Sequence, residues 1–329
     1  MPRPLTSLAP ALALALALPA AAQTDPLDAI RAGASVGDAA ARAQGEQAFP
    51  VGKWPEGLVE VGGALWVAQS GDRSVARLDP ATGKVTKTVK IGRLPVSMAQ
   101  GPDGAVVVQV STDKVLKQVD PKSGKVKVIT KLPDGPERTV VVDGFAYVLL
   151  WKGDSSAGSS VLRVELASGK TTRSADTGDG AFGLAVGGDH VWVIRGGGQI
   201  NVLEAATLKP VGVITAQGRP YSGAYGAGAA FCAGGRFVQR LSTEAVTAQA
   251  ELSADVRALG VWDDVLAAQT TDGTIWLLDP TTLSTRMQLK AAAPYEAQGM
   301  IRHDGALYLT THRSADGTDK GSVLRVPLP

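Results

Sequence analysis

Cysteine is almost missing: Cys232 stands alone among 329 residues, so no disulfide forms within the chain and a thiolate-rich zinc cluster is excluded. It sits in the apolar run Ala229-Ala230-Phe231-Cys232-Ala233, a setting that suits a buried, inert thiol rather than a reactive one. Asparagine is as scarce, with Asn201 the single example, and there are 3 histidines, His190, His303 and His312. Neither charge sign dominates, with 33 basic against 31 acidic residues, so no global field recruits nucleic acid or anionic lipid. Also missing are a Gly-rich phosphate loop followed by Lys-Ser/Thr, a serine nucleophile elbow and a Cys-His zinc spacing. Gly196-Gly197-Gly198 reads as a turn instead of a nucleotide cradle.

No apolar run is long enough to span a bilayer. The one candidate, residues 8–18, alternates Ala and Leu and falls short of the roughly 20 residues required. It follows Arg3 and precedes Pro19-Ala20-Ala21-Ala22, the order of a secretory signal with a small-residue exit. Residues 1–22 therefore read as a signal peptide cleaved after Ala22, which puts the mature chain in the periplasm or outside the cell. Residues 23–45 read as a flexible leader with a helical leaning around Asp25-Pro26 and residues 39–43, weakened by Gly33 and Gly37.

What is abundant is glycine, 39 residues, interleaved with Val-rich alternating runs, a pattern of short strands and tight turns. One phrase recurs. It reads Leu78-Asp79-Pro80-Ala81-Thr82-Gly83-Lys84, then Val119-Asp120-Pro121-Lys122-Ser123-Gly124-Lys125, with weaker copies at Glu165, Glu204, Ser242 and Asp279 and a truncated one at Pro327. Successive copies lie 37 to 48 residues apart. An apolar run precedes each, often after an Asp-Gly turn such as Asp103-Gly104, Asp143-Gly144 or Asp304-Gly305. Four strands in about 40 residues is the period of a propeller blade, and seven copies predict an all-β, seven-bladed β-propeller over residues 46–329, with four antiparallel strands per blade. The seventh unit runs out after its third strand, so residues 46–52 are expected to close the ring as its outer strand.

Leu65-Trp66-Val67-Ala68 with Val75-Ala76-Arg77-Leu78-Asp79-Pro80, and Gly101-Pro102-Asp103-Gly104 ahead of a strand, resemble the streptogramin B lyase type of propeller. The stretch Asp319-Lys320-Gly321-Ser322-Val323-Leu324-Arg325-Val326 is similar to exported YncE-like propellers. These resemblances imply the fold and export. The lyase likeness also implies a histidine and acidic residues holding magnesium on one face, yet His190 and His303 fall beside turns of the opposite face and His312 on an outer loop. Glu56-Gly57 looks like the acidic opening of metal-dependent lactonase propellers, whose further Asn and Asp ligands have no counterpart here. The six tryptophans occupy no single repeat position, unlike the docking signatures of quinone-cofactor dehydrogenase propellers.

Loops joining one blade's fourth strand to the next blade's first, and second to third strands, open on one face around the channel mouth. There the sequence sets Trp54, Glu56, Arg138, Arg219, Tyr221, Arg257, Glu296, His312 and Arg313, with Leu94, Glu137 and Phe182 in equivalent loops. Arginines beside aromatic faces suit a planar or anionic group or stacked bases, but Glu56, Glu137 and Glu296 oppose a strongly anionic ligand. A protein or peptide fits best, ahead of a small molecule or single-stranded nucleic acid. Longer loops at residues 152–159 and 312–320 add binding surface, and Asp316-Gly317-Thr318-Asp319 is a weak calcium pattern. The expected role is recognition or assembly with no catalytic residue, metal or cofactor assigned; the alternative is a metal-assisted lyase or hydrolase at the same face.

Overall fold

A computed structural model describes residues 41–42, 45–153, 156–290, 297–312 and 320–328; the expected signal segment, most of the expected leader, Glu296, Arg313 and residues 316–319 lie outside them. Seven sheets follow one another along the chain, and in five of them all strands are consecutive in sequence; the sixth and seventh each take one strand from the N-terminal segment. Each blade's first strand lines the central channel: Pro55–Val61, Pro95–Gln100, Gly135–Val142, Ala181–Gly187, Ser222–Gly226, Val256–Val261 and Ala297–His303. The second strands, such as Ala64–Gln69 in blade 1 and Ala306–Thr311 in blade 7, are almost wholly buried.

The ring closes as expected. Gln47–Lys53 pairs antiparallel with Lys320–Pro327, setting Gln47 opposite Arg325 and Phe49 opposite Val323. Pro50 is tolerated because this is an outer edge, where a missing N–H leaves no ladder bond unmade. Seven apolar cores fill the seven gaps between neighbouring blades, the last of them combining Phe49, Val51, Leu58 and Leu65 with Tyr308 and Val323. A second N-terminal contact was not foreseen. Ala41–Arg42 is extended and pairs in parallel with Leu289 and Lys290 on the outer strand of blade 6, where the sequence leans towards helix.

The recurring phrase is a turn with a mechanism. Oδ1 of Asp79 accepts the N–H groups of Ala81 and Thr82, and Asp120 and Asp279 do the same in their blades. The turn then needs a residue in the left-handed region, supplied by Gly83 (φ 67°) and Gly124 (φ 78°). In the weaker copies Leu208 (φ 59°) and Leu283 (φ 58°) take that place, and their side chains are buried between blades, so packing offsets the steric cost. The Asp-Gly pairs of the opposite face behave as the type I′ turns their composition implies: Asp143 and Gly144 both have positive φ, as do Asp304 and Gly305.

Candidate functional site

The channel mouth is built by a defect repeated in six of the seven inner strands. In blade 3, Pro136 pairs with Leu150 and Arg138 with Leu149, which leaves Glu137 as one extra residue. The same slip occurs between Pro55 and Leu58, Pro95 and Met98, Ala181 and Gly183, Val256 and Ala258, and Ala297 and Met300; only blade 5 pairs without one. A β-bulge bends its strand and re-aims the extra side chain. Here the bulged positions include Glu56, Glu137, Phe182 and Arg257, and three of these four, Glu56, Glu137 and Arg257, line the channel mouth.

Side chains of one blade hold the bulges of the next. Thr310 Oγ1 donates to the Glu56 carbonyl at 2.6 Å, Gln109 Nε2 to the Pro136 carbonyl at 3.0 Å, and Trp151 Nε1 to the Ala181 carbonyl at 2.5 Å. Buried Gln109 also accepts from Thr139 Oγ1 at 2.7 Å. These bonds satisfy backbone groups that the interrupted ladders leave over. Close approach of the inner strands explains Gly57 and Gly299, where an added Cβ would stand 2.3 Å from the Val96 carbonyl oxygen and 3.0 Å from that of Glu56.

All seven inner strands line one half-open cavity of about 630 Å³. Of the residues named from sequence, Glu56, Arg138, Tyr221 and Arg257 line it. Glu137 and Leu94, which the sequence sets in equivalent loops of the mouth, line it too, as do Met98, Gln298 and Met300, which sequence reasoning did not name. Trp54 and Arg219 are exposed outside the lining, and Glu296 and Arg313 fall outside the described residues. Tyr221 gives its hydroxyl hydrogen to the Val256 carbonyl of the next blade, so its ring braces the wall.

His312 departs from the expectation of an outer loop. Its Nε2 stands 3.1 Å from Glu56 Oε1, out of line for a hydrogen bond, and among the described residues it has no hydrogen-bond partner. It follows Thr311, which ends the second strand of blade 7, and blade 1 is that blade's neighbour around the closed ring. Glu137 is the electrostatically perturbed group of the mouth. Burial raises its pKa, the neighbouring Arg138 lowers it and the charge of Glu56 raises it again, with a net upward shift.

The magnesium implied by the lyase likeness does not suit this donor set. Among the described residues no three His, Cys, Asp or Glu side chains converge as a metal site; Glu56 faces His312, and Glu137 lies beside a guanidinium. Asn201 sits inside the third strand of blade 4, Gln199–Glu204, away from the channel lining. On the opposite face His190 and His303 flank first-to-second-strand turns as expected. His303 lines a separate depression with Asp263, Asp264 and Asp304, in which Arg302 pairs with Asp264 at 2.8 Å.

No family model matches the chain, and no curated protein matches it. Solved structures do. The chain is similar to the structure of U3-55K, with a TM-score of 0.72 at 12% identity, covering 88% of this chain and 100% of that one. It is similar to streptogramin B lyase, with a TM-score of 0.68 at 14% identity over 85% and 96% of the two chains. The computationally designed Ika8 protein matches with a TM-score of 0.60 at 13% identity over 84% and 98%. At such identities the likeness is one of fold, and it establishes a β-propeller. Among the described residues no helix is long and apolar enough to cross a membrane.

Proposed function

We propose that this chain is an exported propeller whose channel mouth recognises a protein or peptide partner. One observation carries the reading. All seven blades bring acidic, basic or apolar residues to one half-open cavity, six of them through bulged inner strands, a layout with convergent polar groups on a rigid ring. Trp54, half exposed at 50%, and exposed Arg219 extend the surface beyond the cavity that Arg257 lines, with Glu296, His312 and Arg313 completing the candidate set. Arginine and tryptophan are common energetic anchors of interfaces. The fold likeness to a lyase and to U3-55K carries neither protein's activity to this chain.

Site-specific photo-crosslinking in the native host tests this. A photoreactive residue at Trp54 or Arg257 should capture a defined partner, and one at Asp189, in a turn of the opposite face, should not. Capture from Asp189 alone would move the working surface to the other side. The alternative, a metal-assisted lyase or hydrolase at the same mouth, predicts instead that a divalent cation raises the melting temperature in a Glu56-dependent way. Export is tested by mass analysis of the N-terminus: processed material starts at Gln23, and an intact Met1 on exported protein refutes cleavage.

A further inference from the structure

The mouth is not uniform around the ring. Blades 1 and 3 each place a carboxylate in the cavity, Glu56 and Glu137, and blade 2 between them contributes Leu94, Val96 and Met98. Acid, apolar wall and acid thus follow in order across three adjacent blades. Arg93, the basic group beside Leu94 in blade 2, is engaged by Asp113, its Nε 2.8 Å from Oδ1 and its backbone N–H also donating to that carboxylate. Directly across the ring from blade 2 stand blades 5 and 6, with Tyr221 and Arg257.

Two further features mark this sector. Trp54 and Leu94 occupy equivalent positions, immediately before the proline that opens each inner strand, and both are large apolar residues left exposed, at 50% and 39%. Both are held in the left-handed region, φ 49° and 60°. That conformation is uncommon for bulky side chains and costs free energy, so two adjacent blades keep apolar side chains on the rim against local preference.

We propose that this sector receives a lysine or arginine side chain of a peptide partner, its stem lying on Leu94 and its cationic head entering between Glu56 and Glu137. The proposal rests on the mouth being the recognition surface and names what it recognises. Long basic side chains combine an apolar stem with a charged head, the complement of the acid–apolar–acid order. Among the described residues no group donates a hydrogen bond to the Glu137 carboxylate, and the charges facing it are Arg138 on its own strand and Glu56 from blade 1. His312 faces Glu56 from blade 7. A half-buried carboxylate without a hydrogen-bond donor gains from an added donor and counter-charge, whereas Arg257 is exposed to solvent. The apolar neighbours of the inserted residue are expected to cover Trp54.

Selection of random twelve-residue displayed peptides on the immobilised mature chain, followed by fluorescence anisotropy of the enriched peptides, tests the proposal. Enriched sequences should share a Lys or Arg next to an apolar residue. Glu137→Gln should weaken them by about thirtyfold, the size typical for loss of one partner of a desolvated charge pair. Replacing the peptide's basic residue by norleucine should cost as much, and combining both changes little more. Glu56→Gln serves as a second variant, and thermal melts confirm that each variant folds. Enriched peptides that lack a basic residue yet lose binding on Trp54→Ala with Arg257→Ala overturn this inference and leave the mouth reading standing. Peptides indifferent to every mouth substitution, or no enrichment at all, overturn both.

Discussion

Ring closure offers the most direct test of the architecture, through Phe49. This side chain is 6% exposed, sits 6.5 Å from the Tyr308 ring, and belongs to the core that joins the last blade to the first. It also fills the space over Gly83, where a Cβ would meet its ring at 2.1 Å. Truncating a buried phenylalanine costs about 3–5 kcal/mol, the removed surface plus the residual cavity. Each kcal/mol moves the midpoint of a large domain by about 2–4 °C, so Phe49→Ala should melt roughly 6–20 °C below the parent. Val211→Ala, on an outer strand and 52% exposed, should stay within about 0.5 kcal/mol. Deleting residues 46–52 removes the whole outer strand of blade 7, exposing the edge of Lys320–Pro327, and should destabilise more than either. The assay is urea unfolding followed by circular dichroism, with the m-value showing whether the ring still unfolds as one unit. If Phe49→Ala is no worse than Val211→Ala, or the deletion unfolds like the parent, the two chain ends do not close the propeller.

Glu137→Gln is expected to stabilise the free protein at neutral pH. A carboxyl whose folded pKa is raised favours folding when protonated, so its contribution is full below the unfolded value and fades as pH rises through the folded one; melting the pair at pH 4 and pH 8 should show the variant's advantage only at the higher pH. Asp279 runs the opposite way. Burial works to raise its pKa, but the N–H groups of Thr282 and Thr281 and the Arg286 guanidinium outweigh burial and hold it at about 2. Asp279→Asn should therefore lose stability at neutral pH, with the deficit vanishing in acid melts as pH falls from 4 towards 2. Cys232 is buried and its thiol is pushed up to about 12, so it should react with a thiol reagent at pH 8 only as fast as the protein opens. A rapid, stoichiometric reaction of the folded chain would falsify that burial.

The functional reading depends on features with different visibility in the chain. The X-Pro openings of the inner strands, at Pro55, Pro95, Pro136 and Pro220, are plain in the sequence and mark where the mouth begins. Nothing in them signals that the strand bulges just after Pro55, Pro95 and Pro136 but not after Pro220, because a bulge is a property of pairing with the neighbouring strand. Glu137 was therefore visible as a charged loop residue, but its desolvation by the surrounding wall was not.

Blade number and strand order were determined by the sequence itself, since each rests on short-range physics. Asp79, Asp120 and Asp279 cap turns over three residues, Asp-Gly pairs dictate type I′ hairpins, and the apolar runs between them have strand length. The closing strand followed from an unfilled place in the last repeat. Tertiary structure alone decided which side chains meet at the mouth. Glu56 and His312 are far apart in the chain and come to 3.1 Å only because blade 7 lies against blade 1. Glu56 raises the pKa of Glu137 across an intervening blade. Leu208 and Leu283 stand in for glycine because burial between blades offsets their backbone strain. Each of these depends on the circumference of the ring, and circumference is a sum over all seven blades that no local stretch of sequence encodes.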